Sequence, residues 1–127
     1  MQKNAERDNT ILELRDSGET YRSIANKMGV TTERIRQICS RVRRERADRR
    51  IYSRIGLDYE NMLDHRIYGD MKHIFHSKWD WIQGVYEYEL TVDDLKNYVL
   101  TVEYEGKWGF GTRMRTRIQE IKERFEN

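Results

Sequence analysis

Thr32, Glu33, Arg36, Gln37 and Ser40 recur at the spacing of one helix face. Their chemistry suits the edges of base pairs. Arginine can bridge the two acceptors of guanine, glutamine can pair with adenine, and glutamate can accept from the amino group of cytosine. Interleaved with them are Thr31, Arg34, Arg41, Arg43 and Arg44. These are suited to phosphates, which give affinity without sequence information. From Arg34 to Arg54 there are nine arginines against two acids. A solvated helix face is the plain alternative for such a run. The choice of arginine over lysine, joined directly to base-reading residue types, favours phosphate contact. Together these residues point to duplex DNA.

Residues Tyr21 to Ser40 contain the elements that would position them. A helix-turn-helix needs a small residue between its crossing helices, and Ala25 is there. It needs a residue that tolerates positive φ at the turn, and Gly29 follows four places later. Ile24, Met28, Val30, Ile35 and Ile38 fall where the helices touch. A first helix is expected from about Asn4 to Asp16, with Ile11, Leu12 and Leu14 inward and Ser17-Gly18 as its stop. A second runs from about Thr20 to Met28. The third, the recognition helix, opens near Thr32 with Thr31 or Thr32 as N-cap. Its stripe Ile35, Ile38, Val42 has the spacing of a buried face. No Pro or Gly interrupts it before Gly56, so it extends past Ser40 as a long basic helix.

The stretch GETYRSIANKMGVTTERIRQICSRVRRE resembles region 4 of bacterial sigma factors, which reads the −35 promoter element. The match is tightest from Val30 to Ile38, where the family pattern is V-T-R-E-R-I-R-Q-I. The resemblance implies that Glu33 and Gln37 touch bases while Arg34 and Arg36 hold the backbone. Thr32 departs from the pattern, standing where the family usually places an arginine that contacts guanine. That departure bears on the −35 preference rather than on DNA binding. The resemblance spans residues 8–46, without counterparts of the regions that read the −10 element and melt DNA. It does not imply a complete sigma factor.

Charge divides the chain. Residues 1–56 carry a net +6, residues 57–105 a net −7 and residues 106–127 a net +3. Two small domains are expected, 1–56 and 57–127, with an acidic surface set apart from the DNA-facing one. Charged residues (36%) nearly equal apolar ones (37%), so any core is modest. No apolar run approaches a transmembrane span, and MQKNAERDNT lacks the apolar stretch of a signal peptide. Cys39 is the single cysteine, which rules out an internal disulfide and suits a reducing compartment. The expected setting is the bacterial cytoplasm or nucleoid.

The second half holds Tyr59, Tyr68, Phe75, Trp79, Trp81, Tyr86 and Tyr88, interleaved with acids rather than bases. That pattern argues against single-stranded nucleic acid and for a helical core with an acidic face. GVYEYEL and YVLTVEY alternate like strands, so a minor β-hairpin is a second option. KWGFGTRMRTRIQEIKERF has the form of a helix-hairpin-helix, with Thr112 capping a helix whose apolar face is Met114, Ile118, Ile121 and Phe125. Gly109, Gly111, Thr112, Arg113 and Arg115 would make a second DNA contact, with Arg117 adding charge. With LTVDDL upstream, this segment is similar to the C-terminal domain of the RNA polymerase α subunit. Asp70, His73 and His76 would share a face if residues 66–78 were helical, but no third neutral or thiolate ligand is near, so no metal is expected. No arrangement supports an enzyme or a cofactor. The fold class expected is mainly α. Two functions follow: a transcription regulator binding duplex DNA, or a phage-type interaction protein engaging host RNA polymerase, or another host machine, through its acidic aromatic half.

Overall fold

The computed structural model describes residues 2–103 and 110–126, with side chains from residue 5 onward. Among the described residues, six helices and one two-stranded hairpin make a mainly α protein: α1 (Gln2–Asp16), α2 (Tyr21–Met28), α3 (Thr32–Ile55), α4 (Met62–Ile74), β1 (Trp79–Asp80), β2 (Val85–Tyr86), α5 (Val92–Thr101) and α6 (Thr112–Glu123). They form two compact units, residues 1–48 with 79–87, and residues 49–78 with 88–127. The division departs from the expected boundary at residue 56. The observed division falls after residue 48, inside α3, which runs on unbroken to Ile55, and the hairpin at 79–87 packs with the first unit rather than with its sequence neighbours. Among the described residues no helix is long and apolar enough to cross a membrane.

In the first unit, Ile11 and Leu12 of α1, Ile24 and Ala25 of α2, and Ile35, Ile38, Cys39 and Val42 of α3 form one buried cluster. Leu14, Tyr21 and Met28 close its edges. The Thr20 hydroxyl caps α2 by accepting the Ser23 N–H. Gly29 ends it at φ 69°, a conformation that glycine adopts without steric cost, and its N–H returns to the Ala25 carbonyl. Val30 departs from expectation. It is 37% exposed because the turn carries it to the rim of the cluster.

The hairpin pairs Trp79 with Tyr86 and Asp80 with Val85. The Asp80 carboxylate accepts the N–H groups of Ile82 and Gln83, each at 2.9 Å, and Gly84 takes the positive φ that closes the turn. The GVYEYEL alternation therefore yields one short strand. The described part of YVLTVEY, residues 98–103, forms no strand, because Tyr98 to Thr101 continue α5; its last residue lies outside the described residues.

In the second unit, Ile51, Tyr52 and Ile55 join Ile67, Tyr68 and Met71, Leu95, Tyr98 and Val99, and Met114, Ile118 and Ile121 in the core. Asn61 caps α4, and a capping box of Thr91 and Asp94 opens α5. Inside this core Asp64 is fully buried. Arg117 of α6 grips it with two hydrogen bonds, 2.6 Å from Nε and 2.7 Å from Nη2, and the Asp58 N–H adds a third at 2.7 Å. Asp64 draws the Arg117 guanidinium pKa upward against the opposing effect of burial. The end of α3 is tied to the segment before α5 by Glu89, which accepts two bonds from Arg50 and one from Arg54. The Arg50 bond, working against burial and helped by Arg54, lowers the Glu89 pKa from 4.5 to about 2.

Removing one member of a buried bidentate pair leaves a desolvated charge behind. Arg117→Ala should therefore destabilise the fold by about 3–5 kcal/mol, as read by urea denaturation. The Glu89 cluster has a pH signature. A carboxylate with a depressed folded pKa contributes its full stability above its unfolded value, here 4.5, and loses it as pH falls toward about 2. The Tm gap between the parent chain and Glu89→Gln should be constant above pH 5.5 and shrink steadily below pH ~4.5.

Candidate nucleic-acid interface

The interface is built on α2, the Gly29 turn and the first two turns of α3. The Thr31 hydroxyl accepts the Arg34 N–H at 3.1 Å and so caps α3. With Ile35 and Ile38 buried, helix geometry sends Thr32, Glu33, Arg34, Arg36 and Gln37 outward, and all five are exposed. Arg36 is oriented by Glu33 at 3.0 Å and lies 5.4 Å over the Tyr21 ring, whose other visitor is Arg15 at 4.1 Å. The start of α2 thus lies beside the exposed side of the first turns of α3. Arg22, the next residue, is exposed and has no side-chain partner among the described residues. Sequence reasoning missed it. The signal was available, since Arg22 lies two places after the Thr20 cap and two places before the buried Ile24.

Ser40 does not belong to the exposed set. It is 5% exposed, donating to the Trp81 carbonyl at 3.3 Å and accepting from the Trp79 indole N–H at 3.1 Å. The expected base contact is corrected: the hairpin covers this position. The expected phosphate contacts divide. Arg34 is exposed and has no carboxylate partner among the described residues. Arg41 is paired to Asp8 at 2.5 Å and Arg43 to Asp16 at 2.8 Å. Arg44 lies 4.0 Å from Asp48 and 5.7 Å from the centre of the Trp81 ring. Further along the run, Arg50 and Arg54 are held by Glu89. Much of the arginine run is therefore spent on internal carboxylates rather than presented freely. Thr31 likewise uses its hydroxyl for the helix cap. Cys39 is buried, and desolvation pushes its thiol pKa upward, which keeps it protonated and inert.

Of the second contact proposed from the sequence, Gly109 lies outside the described residues. Gly111, rather than Thr112, is the N-cap of α6, with no side-chain capping bond. Thr112, Arg113 and Arg115 are exposed on its first turn, while Arg117 is committed to Asp64. Met114, Ile118 and Ile121 form the buried face of α6, which packs on α5, whereas Phe125, expected on the same face, lies beyond the end of the helix at Glu123 and is half-buried. The Asp70–His73–His76 face does not form. Helix α4 ends at Ile74, His76 takes a positive φ beyond it, and Asp70 accepts the Tyr98 hydroxyl at 2.9 Å.

Residues 5–45, about a third of the chain, match the family model for sigma-70, region 4. This segment is a sigma region 4-like helix-turn-helix, and sigma region 4 is a DNA-binding domain rather than a catalytic one. No curated protein and no solved structure matches the chain. The match ends before the hairpin and before the whole second unit.

Ser40 and Gln37 separate two roles on one helix. Ser40→Ala deletes a buried donor–acceptor pair and should cost about 1–3 kcal/mol of stability while leaving base preference unchanged. Thermal melts combined with selection from a randomised duplex library provide the check.

Proposed function

We propose that the chain is a transcription regulator that binds duplex DNA through α2 and α3, with the first two turns of α3 in the major groove. One observation carries this reading. Thr32, Glu33, Arg34, Arg36 and Gln37 are exposed together on a helix whose opposite face is buried in the sigma region 4-like core. The helix-turn-helix docks such residues on base edges. Gln37 and Glu33 read bases, with Arg36 held in place by Glu33 and Tyr21. Arg34 and Arg22 take phosphates, and the positive end of the α2 dipole assists them. RNA polymerase is the protein partner this reading carries, from the resemblance to a sigma domain, in a bacterial cytoplasm.

The alternative, an acidic aromatic docking face over residues 57–105, has less support. Tyr68, Tyr86 and Tyr98 are buried, and Tyr59, Phe75 and Trp79 are half-buried, so most of the aromatics serve as core.

Binding should be salt-dependent with a modest slope, because few arginines are free of internal partners. Two to four phosphate contacts give a log–log slope of about −2 to −4. Gln37→Ala should relax preference at a single base pair by about 1–3 kcal/mol. Arg34→Ala should weaken all duplexes alike and flatten the slope by about one. Fluorescence anisotropy on a library-selected duplex across a salt series measures all three. A slope near zero, or a uniform loss in Gln37→Ala, would refute the docking described here.

A further inference from the structure

The residues of α3 that face the groove in this reading continue as a stripe. Glu33, Gln37, Ser40, Arg44 and Asp48 are spaced by four, three, four and four residues, so all lie on one side of the helix. The hairpin occupies the far end of that same stripe. Its Trp79 indole and Trp81 carbonyl hold Ser40, its Tyr86 hydroxyl donates to Asp48, and its Trp81 ring lies under Arg44. Gln37 is the last base-facing residue left uncovered.

A length argument fixes what this means for a bound duplex. Ser40 lies about 4.5 Å beyond Gln37 along the helix axis. An α-helix with its side chains is about 10–12 Å across and nearly fills a major groove about 12 Å wide. A hairpin stacked on the groove-facing side of that helix has no room inside the groove. It must lie at the rim, where α3 leaves the groove, against the sugar–phosphate ridge beside the site being read.

The hairpin tip suits that position. Ile82 is 92% exposed, Trp81 53% and Val85 50%, three exposed apolar side chains on a four-residue turn and its edge. A patch of this kind marks a contact surface. The tip is preorganised, because the Ile82 and Gln83 N–H groups are bound by the Asp80 carboxylate and the Gly84 N–H returns to the Asp80 carbonyl at 2.8 Å. Residues 81–85 carry no charge, and the one acid of the turn faces inward to those amides, so nothing on the tip repels phosphate. Gln83 is exposed and supplies an amide donor. Arg43 and Arg44 flank the hairpin: a Cβ built on Gly84 would come 3.1 Å from Arg43 Cδ, and Arg44 covers Trp81.

We infer that the Trp79–Tyr86 hairpin is a second DNA-contacting element, with Trp81, Ile82 and Gln83 lying on the duplex flank next to the bases read by α3. The inference rests on the α3 docking proposed above. It adds that α3 reads only a short site, closed off at Ser40, while the hairpin extends the footprint on one side through apolar contact with deoxyribose. Apolar side chains used in this way touch sugars or wedge into the adjacent minor groove without reading sequence.

The test uses the full chain and a fluorescein-labelled duplex selected from a randomised library, together with versions shortened on each flank in turn. Ile82 is so exposed that its substitution leaves the fold intact. Ile82→Asp should weaken binding to the long duplex about tenfold, through lost contact and repulsion from phosphate. It should leave unchanged the affinity for the duplex trimmed on the hairpin side, and remove hydroxyl-radical protection on that flank only. Ile82→Lys should steepen the salt slope by about one. If both variants bind and footprint like the parent chain while Gln37→Ala still alters base preference, the hairpin inference fails alone. If the parent chain binds no duplex, the α3 docking fails and the hairpin role falls with it.

Discussion

The first unit depends on α3 being two-sided. Ile35, Ile38, Cys39 and Val42 bury against Ile11, Leu12, Ile24 and Ala25, and that packing fixes the rotation of the helix about its own axis. Rotation decides which side chains are outward, and therefore which residues can reach a base. Ala25 and Gly29 matter for the same reason. A larger residue at Ala25 would push the helices apart, and a β-carbon at Gly29 would strain the turn that sets their crossing. Leu, Ile and Val side chains bury roughly 1.5–3 kcal/mol each, so this small cluster outweighs any single surface ion pair.

Arginine on α3 is shared between two kinds of anion. Asp8, Asp16, Asp48 and Glu89 each engage a member of the run, and a carboxylate already in place competes with an incoming phosphate. Each surface pair contributes at most about 1 kcal/mol, so a phosphate can still displace one where the geometry suits it. The pairs nevertheless make the free protein less of a general polyanion binder than its arginine count suggests. On the first turns of α3, Arg34 has no carboxylate partner among the described residues and Arg36 is aimed by Glu33 and Tyr21.

The second unit is organised around a different constraint, the buried Asp64 carboxylate. Three hydrogen bonds satisfy it, two of them from a guanidinium whose planar fork matches a carboxylate. This fastens α6 to the start of α4 in a single register, a specificity that the burial of Ile67, Met71, Ile118 and Ile121 does not impose by itself.

Much of the first unit was legible in the chain itself, because its signals are local. The Thr20 cap, the Ala25–Gly29 spacing, the Ile35–Ile38–Val42 stripe and the uninterrupted run to Gly56 each depend on residues a few places apart, and helix periodicity converts that spacing directly into a face. The length of α3 followed from the absence of Pro and Gly. The amphipathic final helix was readable for the same reason, whereas the end of α4 at Ile74 turned on His76 taking a positive φ, which composition did not signal. Long-range pairing decided the rest. Ser40 has the spacing of a base-reading residue, and only the arrival of Trp79 and Trp81 from some forty residues away removes it from that face. The partners of Arg41, Arg43, Arg50 and Arg54 are between 27 and 39 residues distant. An arginine next to a helix-turn-helix has the same sequence whether it faces a phosphate or an aspartate. Periodicity settles which way a side chain points, and tertiary structure alone settles what it meets there.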